Sequence, residues 1–179
     1  KPAAPEATQI FVALDGRPAG MFVIADTPRP ETAAVIASLH RDGRRLVMLS
    51  GDTDATAQAV AARLGIKEAH GGLAPEDKAR WVATCRAGDA ADNTIAFVGD
   101  GINDAPALAA ADVGIAMGSG ADVALETADI TLLSGGLAAV PRAIALAQAT
   151  MTTVRQNLVL AFLYNVLAIP VAAGALYPL

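Results

Sequence analysis

Charge stops at Asp129. The first 129 residues carry all 18 acidic residues and 11 of the 13 basic ones, a formal charge of −7, whereas only Arg142 and Arg155 are charged beyond them. Such a chain has to fold into two different materials. Leu158 to Leu179 is an uncharged run of 22 residues, which as a helix would reach roughly 33 Å at about 1.5 Å per residue, close to the hydrocarbon thickness of a bilayer. A buried core helix is the alternative reading, but core helices rarely run so far without charge, and a membrane span is expected. Arg142 and Arg155 precede the run with no acidic residue nearby, which puts residues before about 155 in the cytoplasm. Tyr164, Asn165, Pro170 and Gly174 interrupt the run. A polar amide at membrane depth is a candidate functional group, and the proline loosens the backbone ladder around it.

The charged part is acidic, a poor surface for a nucleic-acid backbone, so no nucleic-acid partner is expected. A single cysteine, Cys85, excludes an internal disulfide and any multi-cysteine metal cluster. Its neighbours Trp81 and Val82 suggest a packed helix face. His40 and His70 are isolated in the sequence and are not taken as catalytic. Lys1-Pro2-Ala3-Ala4-Pro5 is a loose, linker-like start with no secretory signal, and the abrupt ends suggest a piece of something longer.

Short apolar runs at Ile10–Leu14 and Met21–Ala25 flank Asp15-Gly16, a hairpin signal. Asp26-Thr27-Pro28-Arg29-Pro30 makes a stiff joint, and a helix follows to about Arg41. Leu46–Leu49 reads as a buried strand, Thr53–Leu64 as a helix, and Pro75 to about Ala87 as another, with Pro75 suited to a first turn. Ile95–Val98, Val113–Ala116 and Ile130–Leu133 read as further strands. Strands alternating with helices imply an α/β fold, a parallel sheet covered on both faces.

Three loops carry chemistry. Ser50-Gly51-Asp52 follows a strand and precedes a helix N-terminus, offering a hydroxyl and backbone N–H groups to an anion. Lys78 lies in the first turns of the Pro75 helix, where an ammonium can neutralise a phosphoryl oxygen. Asp100 and Asp104, in Phe97-Val98-Gly99-Asp100-Gly101-Ile102-Asn103-Asp104-Ala105-Pro106, put two carboxylates on a glycine-flanked turn at a strand's carboxyl end, a donor set suited to Mg2+. Each has a bland alternative: Ser50 as a helix cap, Lys78 as a solvated side chain, Asp104 as a helix N-terminal acid. Together they are the parts that phosphoryl transfer needs.

This order of motifs resembles the haloacid-dehalogenase-like phosphorylation domain of P-type ATPases, from about Ile10 onward. The resemblance implies an incomplete Rossmannoid parallel sheet with flanking helices, followed by a long helix ending in a transmembrane segment. It implies that Ser50 and Lys78 contact the phosphoryl group, with Gly51 and Asp52 of the same loop in the catalytic site, that Asp100 binds Mg2+ with support from Asp104, and that Asn103 orients the loop. Residues 1–25 would be linker and closing hairpin of the nucleotide-binding domain, 26–134 part of the phosphorylation domain, and 135–179 stalk and transmembrane helix. Tyr164-Asn165 followed by Pro170 resembles the YN-x4-P pattern of the copper(I)-transporting branch, which implies that Tyr164 and Asn165 border the path of transported copper.

The resemblance is partial. No DKTGT string, which carries the family's nucleophilic aspartate, occurs in the sequence, and no CPC motif or actuator loop does. The expectation is the C-terminal portion of an ATP-driven copper(I) exporter, with ATP as substrate, Mg2+ as cofactor and the rest of the pump and the membrane as partners, inactive alone. The alternatives are a truncated non-catalytic partner of an intact pump and a soluble phosphatase of the same superfamily, which would need a DxD motif that is absent.

Overall fold

The computed structural model describes residues 8–24, 28–87, 94–99, 102–118, 127–175 and 177. Two compact units divide the chain, residues 1–139 and 140–179. The first opens with strands β1 (Thr8–Leu14) and β2 (Arg17–Ile24), paired antiparallel around Asp15-Gly16, both at positive φ as a two-residue hairpin turn requires. Helix α1 (Pro30–Arg41) begins with its proline where a missing N–H costs nothing, and buries Val35, Ile36 and Leu39 on one face.

Strand β3 (Val47–Leu49) runs parallel to β4 (Glu68–His70), with α2 (Asp54–Leu64) between them in sequence. Thr53 caps α2 by accepting the Thr56 N–H, so the bland alternative for Ser50, a helix cap, is not the role it takes. Helix α3 (Pro75–Ala87) leads to β5 (Ala96–Gly99), a 3-10 turn at Ile102–Asp104, the short α4 (Ala105–Ala110), β6 (Val113–Met117) and β7 (Ile130–Leu132). Strands β5, β6 and β7 form a parallel sheet in that order. Among the described residues, β3 and β5 each have one edge without a strand partner. The expected parallel sheet is thus present in two incomplete pieces.

Small side chains let the helices lie close to these strands. Ala57, Ala61, Val82 and Ala107 are almost wholly buried, and Leu108 and Ala116 form a cluster with Phe97 and Ala128 packed against it. Two carboxylates tie the strand ends down. Asp112 accepts the Ile95 N–H at 2.9 Å and pairs with Arg86 at 2.8 Å, and Asp129 accepts the Gly114 N–H at 2.8 Å. Cys85, expected on a packed face, is only half-buried.

The second unit belongs to helix α5 (Ala139–Ala172), which holds Pro170 in its last turn. Phe162, Tyr164, Val166 and Ile169 are exposed by 64–71%, and Leu160 and Leu163 are exposed between them, so from Leu158 onward the helix is apolar around its circumference apart from Asn165. An apolar surface with no polar face requires apolar surroundings, and the helix is long and apolar enough to cross a membrane. The helix starts well before Leu158, as a long helix ending in a transmembrane segment would, but it closes earlier than the apolar run: it ends at Ala172, where Gly174 takes φ +89° and its turn carries hydrogen bonds from Ala173 to Ile169 and from Ala175 to Pro170.

The Glu68 carboxylate lies between the Arg45 guanidinium at 2.6 Å and the His70 ring at 3.2 Å. The hydrogen bond from Arg45 holds Glu68 below the usual carboxylate range, and Glu68 in turn raises Arg45. A carboxyl whose folded pKa is lowered stabilises the fold above its unfolded value and loses that effect as pH falls through the folded pKa. The exposed guanidinium keeps the effect small. Glu68→Gln should therefore lower the melting temperature slightly at neutral pH, and the difference from wild type should close below pH of about 4, as thermal scans across pH will show.

Candidate functional site

The Ser50 loop is shaped by three backbone hydrogen bonds to the segment joining β4 to α3. The Ser50 N–H donates to the His70 carbonyl at 2.9 Å, the Leu73 N–H to the Ser50 carbonyl at 3.0 Å, and the Gly72 N–H to the Asp52 carbonyl. Within the loop the Asp52 N–H donates to Ser50 Oγ at 3.1 Å, and Ser50 Oγ donates to Asp52 Oδ2 at 3.2 Å. Gly51 and Asp52 are exposed and Ser50 is half-buried. The loop thus sits at the carboxyl end of a parallel strand with its hydroxyl engaged locally rather than as a helix cap.

A second clasp was not foreseen from the sequence. Asp54 Oδ1 accepts the Gly71 N–H at 3.0 Å, and Asp54 Oδ2 accepts from Gln58 at 2.8 Å. Gly71 lies so close that a Cβ there would overlap the Asp54 backbone. The signal was present: Thr53-Asp54 is a cap followed by a first-turn acid, which marks a helix start. Nothing in the sequence marks its partner seventeen positions on.

Lys78 and Asp104 meet. Lys78 Nζ donates to Asp104 Oδ1 at 2.8 Å, and the two side chains are only 14% and 13% exposed. Lys78 is therefore not a solvated side chain. Asp104 makes no side-chain cap to α4, although it stands at that position. Gly99 explains the approach: a Cβ there would lie 2.8 Å from Asp104 Cβ and Oδ2, so only glycine leaves room for the carboxylate at the end of β5. The pair joins α3 to the turn after β5 across 26 positions of sequence.

The remaining expected residues fall elsewhere. Asn103 is exposed on the 3-10 turn. Asp100, the expected Mg2+ ligand, lies outside the described residues, as do Asp26 and Thr27 of the proline-rich joint. Tyr164 and Asn165 are adjacent, exposed residues of α5, in the second unit. Among the described residues no three His, Cys, Asp or Glu side chains cluster as a metal site. The donor chemistry at Asp104 nonetheless suits Mg2+: a little-exposed carboxylate with Oδ1 committed to Lys78 and no hydrogen bond to Oδ2 among the described residues.

The sequence matches the haloacid dehalogenase-like hydrolase family over residues 2–112, and a second family of the same description over residues 82–144. The chain belongs to the haloacid dehalogenase-like hydrolases. Its similarity to individual proteins runs to heavy-metal P-type ATPases. It is 53% identical over 172 residues to a copper-transporting P-type ATPase of Rhizobium leguminosarum bv. viciae, and 50% identical over 171 residues to a silver exporting P-type ATPase of Salmonella typhimurium, in each case over 96% of this chain and 20% of the relative. The chain thus spans about a fifth of the length of these relatives. Among solved structures, it is similar to a zinc-transporting PIB-type ATPase in an E2.Pi state, with a TM-score of 0.80 at 40% identity, over 95% of this chain and 28% of that one. The parallel-sheet fold and the apolar C-terminal helix are thus features of a haloacid dehalogenase-like chain akin to PIB-type pumps.

Breaking the Lys78–Asp104 pair from one side leaves a little-exposed charge without its partner, which costs on the order of 1–3 kcal/mol. Lys78→Met and Asp104→Asn should each destabilise by about that much, and the double variant by clearly less than the sum. Urea unfolding followed by the fluorescence of the single tryptophan, Trp81 in α3, measures all three.

Proposed function

We propose that this chain is the C-terminal portion of an ATP-driven pump for a heavy-metal cation, most readily copper(I). It would supply the phosphate-facing half of the phosphorylation site and a helix that enters the membrane. The observation that carries this reading is the Lys78–Asp104 pair, held at 2.8 Å and largely shielded from water at the end of β5. The resemblance of Tyr164-Asn165 and Pro170 to the copper branch, together with copper- and silver-named relatives, supports the choice of metal.

In this reading the phosphoryl oxygens are received by the backbone N–H of Gly51 ahead of α2 and by the Ser50 hydroxyl, which exchanges its hydrogen bond to Asp52 for one to the phosphoryl group. Lys78 neutralises an oxygen of the transferring group, and Asp104 fixes the ammonium so that little reorganisation accompanies the reaction. Asp100 and Asp104 are the residues that would hold Mg2+, which when bound would supply further charge neutralisation for the phosphoryl group. Asn103 steadies the turn between these carboxylates. The acceptor is an aspartate outside these 179 residues. A parallel strand added to an unpaired edge of β3 or β5 would bring its carboxyl end to the same sheet edge as Ser50 and Asp104, because parallel strands end together. Tyr164 and Asn165 would border the metal's path, with residues before about 155 cytoplasmic.

Two proteins test this: the 179-residue chain, and a longer chain that also carries a DKTGT segment. With ATP labelled at the γ-phosphate, the longer chain should form an acid-stable, hydroxylamine-labile phosphoenzyme stimulated by copper(I), and the shorter one none. Lys78→Met in the longer chain should reduce the label by about tenfold or more. Asn165→Ala should weaken copper stimulation while phosphorylation from inorganic phosphate persists. Copper-independent labelling, or labelling of the short chain, would contradict the assignment.

A further inference from the structure

The amino ends of β3 and β4, opposite the Ser50 loop, carry a different chemistry. There the carboxyl end of α1 and the approaches to both strands border an open cleft of about 480 Å3, lined by His40, Arg44, Arg45, Lys67 and Glu68 among others. Arg44, Arg45 and Lys67 all line this concavity in a chain whose net charge is −5. Their pairing is incomplete. Arg45 is committed to Glu68 at 2.6 Å, but among the described residues Arg44 and Lys67 have no carboxylate partner.

Two unpaired cations beside a third oriented by Glu68 are more than the helix ends require. Arg41 already occupies the last turn of α1 and Arg63 that of α2, where basic residues complement the helix dipole. Arg45 keeps N–H donors beyond the one given to Glu68, because a guanidinium has five in a planar fork. His40 does not add to the surplus, since its ring is engaged with the Gly65 carbonyl at 3.2 Å. A concave surface gathers the field of such charges more effectively than a flat one.

We propose that this cleft is an anion site, distinct from the Ser50 loop, that takes a phosphate-bearing group through Arg44, Arg45 and Lys67. The ligand's shared chemistry is a phosphate mono- or diester, whose non-bridging oxygens match a guanidinium fork and an ammonium together. Its source is either a soluble phosphate compound or an anionic lipid headgroup. The site is also tied to the Ser50 loop: Glu68 contacts His70, whose carbonyl accepts the Ser50 N–H. The inference does not depend on the pump reading, because it concerns the other end of the strands.

The test uses the 179-residue chain in phosphatidylcholine nanodiscs, titrated with inorganic pyrophosphate and followed by backbone amide resonances. Saturable shifts are expected at Gly43, Leu46 and Lys67, separate from any at Gly51 and Leu73, which would report the Ser50 loop. The charge reversal Arg44→Glu with Lys67→Glu should weaken the first set at least tenfold. Arg17→Glu, at the exposed hairpin turn, should leave it unchanged. In phosphatidylglycerol nanodiscs, competition against pyrophosphate identifies the headgroup as the source, and unaltered binding identifies a soluble phosphate. The proposal is overturned if the Gly43, Leu46 and Lys67 shifts do not saturate. It is overturned equally if they follow ionic strength alone, or if Arg17→Glu weakens them as much as the double reversal does.

Discussion

The ion pair between Lys78 and Asp104 is the contact on which the site depends. It is made late in the chain's logic, between a helix and a turn that are far apart in sequence, and it sits where water has little access. In that setting neither charge is tolerable without the other. The pair therefore fixes the start of α3 against the end of β5, and Gly99 is glycine so that the carboxylate can reach. The Ser50 loop is drawn into the same arrangement by backbone hydrogen bonds to the segment that begins α3. Under the proposed function, a phosphoryl group would be received by the Ser50 hydroxyl and the Lys78 ammonium, the latter already held in place by Asp104.

The two materials announced by the charge distribution remain distinct in the structure. Residues 1–139 contain the acidic α/β fold, whose sheet pieces leave one edge of β3 and one edge of β5 without partners among the described residues. Each such edge leaves a row of backbone donors and acceptors that a further strand can take up. Residues 140–179 hold a helix with large apolar side chains on every side. The first surface can take a further strand, and the second suits hydrocarbon or other apolar helices.

Much of the fold was legible because its elements are punctuated. Pro30 and Pro75 stand at the first positions of α1 and α3, and Thr53 caps α2, each within a residue or so of the expected start. Strand β4 was not legible: Glu68-Ala69-His70 has no apolar rhythm, and it is a strand because β3 pairs with it and Arg45 satisfies Glu68. The short α4 was hidden in a run of alanines that fits any buried segment. The end of α5 was misplaced because hydropathy continues past Gly174, whereas the backbone turns there. At the site, residue types were readable one by one. That Lys78 and Asp104 would touch was not, because a contact across 26 residues is a property of the packed fold. The roles given to Ser50, Asp100 and Asn165 came from motif order, and Asp100 lies outside the described residues.

The central claim is that these residues form half of a phosphoryl site, completed by an aspartate carried on a further strand. Fluorine NMR of beryllofluoride, a stable mimic of a phosphoryl group on a carboxylate, tests it directly in the presence of Mg2+. With a DKTGT segment joined to the chain, slowly exchanging bound fluorine resonances should appear, and Lys78→Met should abolish or shift them. The 179-residue chain alone should show only the free species. Equivalent bound resonances from the chain alone would show that it already holds a complete acceptor site, and the account would be wrong.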